Sequence, residues 1–462
     1  MSETTGAAPP DLQRRLTTLD ATLLTIGSVI GTGIFLVPGD VAAAVPHAGL
    51  ILLVWLAGGA LALAGALTLA EPAAALPRAG GLYLVLREAF GPLPAFLYGW
   101  TCFLVIMSGG CAAIAMGGAT WLGAFVPGLE QPLLTLGDPA QAAWTLTGTQ
   151  LVALAAIALL TLVNHVGVGP GAWTQNALTW LKVAAIAGFA AAGFLVEPLA
   201  EPDVFAPLPA GGGIAAGFGA AMIAALWTYD GWYGVTFEAG ELRDPSRALP
   251  RGLGAGVAAV VLLYVLLNLF MLRGLPLDAL AGNARAGEAA AMALLGGGAA
   301  RLFAAAVVLS SFGCLAATIL YSARIYLPMA RDGLFFAAVG RVHPWHRTPH
   351  VALWAQGGWA ALLLLSGTYS ELYTYVTFAS VLFLGTCGAA ALVLRRTQPD
   401  LPRPYRTWGW PVVPLAFLTG CTLLTLSTLR DSPRESLAGL AIVAAGLPAY
   451  AGWRRSGAAR HG

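Results

Sequence analysis

Apolar residues run in long blocks along almost the whole chain, separated by short polar stretches. A block of about 20 apolar residues is what a helix needs to cross the hydrocarbon core of a bilayer. The pattern predicts twelve such spans, at 20–45, 49–70, 93–125, 144–164, 173–196, 213–240, 252–273, 297–327, 351–368, 370–394, 411–430 and 435–453. The third is long enough to be tilted or to extend beyond the bilayer. The first 19 residues, MSETTGAAPPDLQRRLTTL, are polar and read as a cytoplasmic tail without a cleavable signal. Between spans 2 and 3, PRAGGLY and REAFG predict a hairpin or a short amphipathic helix. Residues 274–296 hold only short, weakly apolar pieces.

Two spans break their own pattern. Span 1 contains Gly27-Ser28-Val29-Ile30-Gly31-Thr32-Gly33-Ile34-Phe35, followed by Val37-Pro38-Gly39, which reads as a turn or kink. Glycine weakens a helix by about 1 kcal/mol relative to alanine. An opened helix in lipid is tolerated only where its backbone is buried in protein or lines a polar cavity. Residues 30–34 therefore read as a binding site built from main chain. Span 6 carries the counterpart, Leu226-Trp227-Thr228-Tyr229-Asp230-Gly231-Trp232-Tyr233-Gly234, which includes an acid. Glycine-interrupted spans at matching positions of two halves point to an inverted-repeat transporter with its site near the midplane. The expected organisation is an N-terminal tail (1–19), a first five-helix repeat (20–196), a second, inverted repeat (213–394), two further helices (411–453) and a C-terminal tail (454–462).

Composition agrees with this picture. Only 10% of residues are charged and 58% are hydrophobic, with mean hydropathy +0.75; soluble domains carry roughly 25% charged residues. Of the 24 basic residues, 18 fall on the side of the N-terminus and five on the other. The positive-inside rule then places both termini in the cytoplasm. The net charge of +2 reflects this sidedness and gives no support for nucleic-acid binding. The five cysteines (102, 111, 314, 387 and 421) all lie in spans and read as small buried hydrophobes. No Asn-x-Ser/Thr acceptor occurs.

Lys182, the sole lysine, sits in span 5, about 15 Å from the preceding turn at helical rise. That depth is too great for easy snorkelling, and an ammonium there costs at least ~2.5 kcal/mol, which marks it as functional. Two other patterns read as structural. Gly167-Val168-Gly169-Pro170-Gly171 follows no strand and lacks a phosphate-loop lysine, so it is a turn. His343-Pro344-Trp345-His346-Arg347-Thr348-Pro349-His350 has no cysteine or carboxylate neighbour and reads as a surface loop rather than a metal site. No metal or other cofactor is expected. The run from Glu238 to Pro250 mixes charges and suits a solvated, salt-bridged inner gate.

Together the span-1 stretch, PRAGGLY with REAFG, LWTYDGW, EAGELRDPSRALPRG and ARIYLPMARDG resemble the amino acid–polyamine–organocation superfamily, closest to its bacterial L-type amino acid transporter-like members. The resemblance implies an all-α integral membrane protein of the LeuT type: twelve transmembrane helices, a 5+5 inverted repeat with helices 1 and 6 broken, and two extra C-terminal helices. It implies sodium-independent transport of amino acids, often by exchange, and no enzymatic activity. Carried over by residue, Ile30, Gly31, Thr32, Gly33 and Ile34 match the main-chain site for the substrate's amino and carboxylate groups. Trp227 matches the aromatic that closes over substrate, flanked by Thr228, Tyr229, Asp230 and Gly231. Lys182 matches a lysine that resembles a fixed replacement for a sodium ion. The proline familiar after Arg-Asp-Gly is absent here, where Phe335-Phe336-Ala337-Ala338 stands. Residues 127–143 lack the cysteine by which eukaryotic members join a glycoprotein, so no disulfide-linked glycoprotein partner is expected.

Physically, the start of the second half of span 1 offers free N–H groups and a positive dipole end to a carboxylate. Free carbonyls near Ile30 and from Trp227 to Tyr229 suit an ammonium. Side-chain selection falls to spans 1, 3, 6, 8 and 10, with Ser310, Ser311 and Thr318 as candidates on span 8. Asp230 reads as a cap of the span-6 break or as a counter-charge to a cationic substrate. Lys182 is also a candidate proton carrier. The expected function is exchange of neutral L-amino acids at the plasma (inner) membrane. Proton-coupled symport and carriage of cationic amino acids or polyamines are the alternatives. A receptor would need a signalling domain, an enzyme convergent His, Asp or Glu residues in the spans, and a channel a filter-like repeat; none of these is evident.

Overall fold

The computed structural model describes residues 12–137, 144–208, 213–366, 369–431 and 433–461. The chain is nearly all helix. Helices α1 (Thr18–Val29) and α2 (Gly33–Ala44) form a pair bent by 48°. They are followed by α3 (Ala48–Ala75), the short amphipathic α4 (Leu82–Phe90) and α5 (Pro92–Leu122), which contains a π-helical turn at Cys102–Ile106. A hairpin of β1 (Pro132–Leu136) and β2 (Trp144–Thr147) leads to α6 (Gly148–Val166) and α7 (Val168–Leu195). Then come α8 (Ile214–Thr228), a 3-10 helix (Trp232–Glu241), α9 (Pro245–Gly274), α10 (Leu277–Leu280) and α11 (Ala286–Leu295). The chain ends with α12 (Gly297–Arg331), α13 (His350–Leu365), α14 (Tyr369–Thr397), α15 (Val412–Asp431) and α16 (Pro433–His461).

Among the described residues nine helices are long and apolar enough to cross a membrane, ten when the bent α1–α2 pair counts as one. The protein is thus a multi-pass membrane protein. Two of the twelve expected spans are shorter than that criterion. Span 6 stops as an α-helix at Thr228, after 15 residues. Span 9 is the 16-residue α13, and the end assigned to it from the sequence, 367–368, lies outside the described residues.

Local chemistry explains several boundaries. Span 4 begins at Gly148 rather than at 144, because residues 144–147 pair with β1 and Thr147 caps the helix. The Thr147 hydroxyl accepts from Gln150 N, and the Gln150 side chain accepts from Thr147 N in return. The same capping box joins Thr17 and Asp20 at the start of α1. Pro38 does not end span 1; α2 runs through it to Ala44. Of the loop 127–143, which lacks the partner-linking cysteine of eukaryotic members, residues 138–143 lie outside the described residues.

Helix α1 and the 3-10 helix that follows the span-6 break are largely buried, whereas α8 is mostly exposed or half-buried. Helix α1 packs against α7, α9 and α12, while α12 also packs against α5. The polar motifs between spans meet at one end of the bundle. Arg87 pairs with Asp332 at 2.9 Å, and the Tyr83 hydroxyl donates to Asp332 at 2.7 Å. Glu71, at the end of α3, accepts both donors of Arg395 at 2.7 and 2.6 Å and the Thr407 N–H at 2.7 Å.

The expected solvated gate is different in the structure. Glu238 and Glu241 are fully buried, as is Arg324 of α12, which binds Glu241 through two donors at 2.8 and 3.2 Å and lies 3.9 Å from Glu238. Only Arg243, Asp244 and Arg247 of that run face outward. The reason is tertiary: the 3-10 helix packs against α1 and α12, and Arg324 supplies the charge that lets its acids be buried. The N-terminal segment closes over the same point, where Leu16 N donates to Glu241 O and Arg243 N to Leu16 O, both at 2.9 Å.

Candidate functional site

Both interrupted spans open where their glycines lie. In span 1 the helix stops at Val29 and restarts at Gly33. Thr32 stands at the N-cap of α2 but makes no side-chain cap, so the first N–H groups of α2 keep the unpaired donors of any helix start. In span 6 the break is Tyr229-Asp230-Gly231, and Gly231 adopts φ +96°. A side chain there would be strained, and its Cβ would lie 2.9 Å from Ser28 O.

The two breaks face each other across a cavity of about 90 Å³. Ser28, Val29, Gly31, Thr32 and Gly33 form one wall, and Trp227, Thr228, Asp230, Gly231 and Tyr233 the facing one. Contact between them is close. The Ser28 hydroxyl donates to Gly231 O at 3.0 Å, and a Cβ on Gly33 would sit 2.7 Å from the Trp227 ring. Among the described residues, Asp230 is the only charged one in the lining. Its carboxylate accepts from the Tyr233 hydroxyl at 3.4 Å.

Lys182 lies beside the cavity, outside its lining. Its buried ammonium donates to Gly27 O at 3.0 Å, Ile30 O at 2.7 Å and Ser310 O at 3.0 Å. These three carbonyls belong to α1, the break and α12, so one cation joins three elements. Ser310 adds a hydroxyl bond to Ile30 O at 3.0 Å, Cys314 approaches Ser28 O at 3.1 Å, and the Tyr264 hydroxyl binds Val29 O at 3.1 Å and Thr228 O at 2.8 Å. Unpaired carbonyls in a membrane interior cost several kcal/mol; here side chains from α7, α9 and α12 take them up. The carbonyl of Ile30, expected to serve a substrate ammonium, is thus already engaged by Lys182 and Ser310.

The residues anticipated from sequence divide accordingly. Gly31, Thr32, Gly33, Trp227, Thr228, Asp230, Gly231 and Thr318 line the cavity. Ile30, Ile34 and Tyr229 are buried away from it, and Tyr229 donates to Trp55 O at 2.9 Å. Of the two serines anticipated on span 8, Ser310 belongs to the Lys182 network and Ser311 donates to Val307 O within its own helix; neither is in the lining. Sequence reasoning named spans 3, 8 and 10 as walls but not the residues that form them, namely Ile106, Met107, Gly110, Ala113 and Ile114 of α5, with Cys314, Tyr321 and Val376. A signal for the first group exists only in three dimensions: the π-helical turn at Cys102–Ile106 directly precedes it, and such turns gather at functional sites. Three residues beyond Tyr321, about 4.5 Å along α12 at helical rise, Arg324 meets its two acids, Glu238 and Glu241.

Sequence comparisons agree with this geometry. The family model for amino acid permeases matches residues 16–436. The serine/threonine exchanger SteT of Bacillus subtilis is 30% identical over 448 residues, 96% of this chain and 98% of SteT. The human large neutral amino acids transporter small subunit 2 is 29% identical over 96% of this chain and 81% of its own length. The branched-chain amino acid permease BcaP of B. subtilis is 29% identical over 90% of this chain and 88% of its own. A bent membrane span facing a second break across a main-chain-lined cavity, in a chain matched by this model over almost its full length, identifies a member of the amino acid permease family of the amino acid–polyamine–organocation superfamily, an amino acid transporter and not an enzyme.

Proposed function

We propose that the protein exchanges small neutral L-amino acids by alternating access, without sodium. The observation that carries this reading is the cavity between the two breaks. By the volume that one water-sized group needs, it has room for roughly six to nine such groups. That suits alanine, serine or threonine. The N-terminus of α2 at Thr32 and Gly33 would hold the substrate carboxylate. The ammonium would face the carbonyls around Trp227 and the Asp230 carboxylate. Met107, Ile106 and Ile114 would meet a short apolar side chain, and Thr318 a hydroxyl. The name of the relative SteT, a serine/threonine exchanger, favours the same substrates and the same mode.

In this reading Lys182 is the fixed cation of the site, and its three carbonyl bonds hold the span-1 break open in place of a bound sodium ion. The fold is the twelve-helix LeuT type, with α1–α2 and the 214–241 segment as broken helices 1 and 6, repeats at 20–196 and 213–394, and α15 and α16 as additions. The chain lies in the plasma membrane with both termini cytoplasmic and works without a disulfide-linked glycoprotein; its five cysteines are buried free thiols. Alternating access would separate Arg324 from Glu241 and the Leu16 backbone from its partners, opening the cavity towards the cytoplasm.

The test is uptake of labelled serine, alanine, leucine and arginine into liposomes carrying the purified protein in sodium-free buffer. Serine and alanine uptake that requires internal amino acid and ignores a proton gradient is the expected result. Accumulation driven by a proton gradient alone would replace exchange by symport. Entry of arginine alone would overturn the neutral reading and make Asp230 a specificity residue.

A further inference from the structure

Away from the transport cavity, four of the six histidines meet at one end of the bundle. His165 lies in the last turn of α6, His343 and His346 in the connection that follows α12, and His350 at the start of α13. Ring centroids stand 4.5 Å apart for His343–His346, 5.1 Å for His343–His350, and 5.3, 5.5 and 5.9 Å from His165 to His343, His346 and His350. One nitrogen from each of His165, His343 and His346 lies within 4.8 Å of the others. The sequence pattern of residues 343–350 alone reads as a surface loop. His165, from a distant part of the chain, turns that loop into a cluster.

The cluster is built into the fold. The Thr348 hydroxyl donates to His165 O at 2.9 Å, fastening the loop to the end of α6. Within the loop His343 N donates to Thr348 O at 2.8 Å, and Arg347 N to His343 O at 3.0 Å. Independently, Nδ1 of His165 and Nδ1 of His350 are buried without a hydrogen-bond partner. A buried polar nitrogen left unpaired is destabilising, and a coordinated cation would satisfy it.

We propose that His165, His343, His346 and His350 form a binding site for a transition-metal dication of the Zn²⁺ class. An all-imidazole donor set without carboxylates suits Zn²⁺, Cu²⁺, Ni²⁺ or Co²⁺ and disfavours Mg²⁺ and Ca²⁺. Tetrahedral Zn²⁺ holds nitrogens at about 2.0–2.1 Å, so the nitrogens of His165, His343 and His346 must close by up to about 1.5 Å, with His350 turning in as the fourth ligand. His343 must also release the Trp345 and His346 N–H groups that its Nδ1 accepts at 3.3 and 3.1 Å. The bound ion ties α6 to the connection between α12 and α13. Helix α12 carries Cys314, Thr318 and Tyr321 of the cavity wall, so the ion restrains the element that borders the substrate.

The experiment uses the full chain, purified in detergent with a histidine-free affinity tag and stripped with chelator. Co²⁺ is titrated while its visible d–d absorption is recorded, and Zn²⁺ is then added as competitor and also titrated by calorimetry. The expected result is about one ion per chain, intense tetrahedral Co²⁺ bands, and displacement by Zn²⁺. His346→Gln, a loop substitution that leaves the helices intact, and His165→Gln should each weaken binding roughly tenfold or more, while His47→Gln leaves it unchanged. Absence of tetrahedral bands together with no Zn²⁺ binding below about 100 μM would overturn the proposal. So would binding that survives both cluster substitutions unaltered. Because the wild-type Co²⁺ spectrum is decisive by itself, a variant that fails to fold does not shield the proposal.

Discussion

The two breaks share one local signal, glycine inside an apolar span, yet they are held open by different means. The span-1 break is supported from outside. Lys182, Ser310, Tyr264 and Cys314, on three other helices, engage the carbonyls of residues 27–31. The span-6 break takes two outside hydroxyls, Ser28 on Gly231 O and Tyr264 on Thr228 O, and is otherwise shaped by its own backbone. Gly231 takes a positive φ that other residues rarely adopt, and the chain after it winds as a 3-10 helix. That helix is then fixed at its far end by the buried Arg324–Glu241 pair. Unpaired backbone in a membrane must be satisfied by something. Both breaks recruit side chains, and the second also changes helix type and anchors its end by charge.

This contrast can be broken at each support, and the largest effect is expected at the charged anchor. Arg324→Met strands two buried carboxylates and should destabilise the protein by about 3–5 kcal/mol, measured as a fall in the thermal unfolding midpoint in detergent together with loss of uptake. An unchanged midpoint would show that the 3-10 helix does not depend on this pair. Lys182→Ala comes next. It deprives three buried carbonyls of a cationic donor, a loss on the order of 3 kcal/mol, and should abolish serine exchange in liposomes. Exchange that persists at wild-type rate would remove Lys182 from the span-1 support.

Gly231→Ala should cost about 1–3 kcal/mol through its positive φ, with an added clash at Ser28 O. It tests whether span 6 is shaped by its own backbone, since no side chain is removed. If the variant melts with the wild type, the break is imposed from outside, as in span 1. The smallest effect is expected at the wall. Thr318→Val removes one hydroxyl and should lower the preference for serine over alanine by roughly fivefold, about 1 kcal/mol, read from competition of unlabelled substrates. An unchanged ratio would place the substrate side chain elsewhere.

Much of the arrangement was legible in the apolar blocks because length and hydropathy alone decide whether a helix can cross a bilayer. The positions of both breaks were equally legible, since paired glycines in mid-span weaken the helix where lipid offers its backbone no hydrogen-bond partner. Boundaries that depend on pairing were not. Residues 144–147 are apolar enough to extend span 4 but instead join a hairpin. Which residues of α5 face the cavity was invisible, because Ile106, Met107 and Ile114 are ordinary residues of an apolar helix. Ser310 and Ser311 are adjacent in the chain, yet one reaches the span-1 carbonyls and the other its own helix, a difference set by rotation about the helix axis.

Residue order alone implies that the chain lives in a membrane, where its two spans open, and that Lys182 is a buried charge in need of partners. These follow from composition and from the cost of glycine and charge in lipid, which are local quantities. Packing in three dimensions sets which carbonyls Lys182 meets, buries Glu238 and Glu241 against Arg324, and brings His165 to the loop histidines. Each of those depends on contacts between segments far apart in the chain. Hydropathy and spacing describe how a segment meets its solvent; the partner a side chain finds is set by how the helices pack.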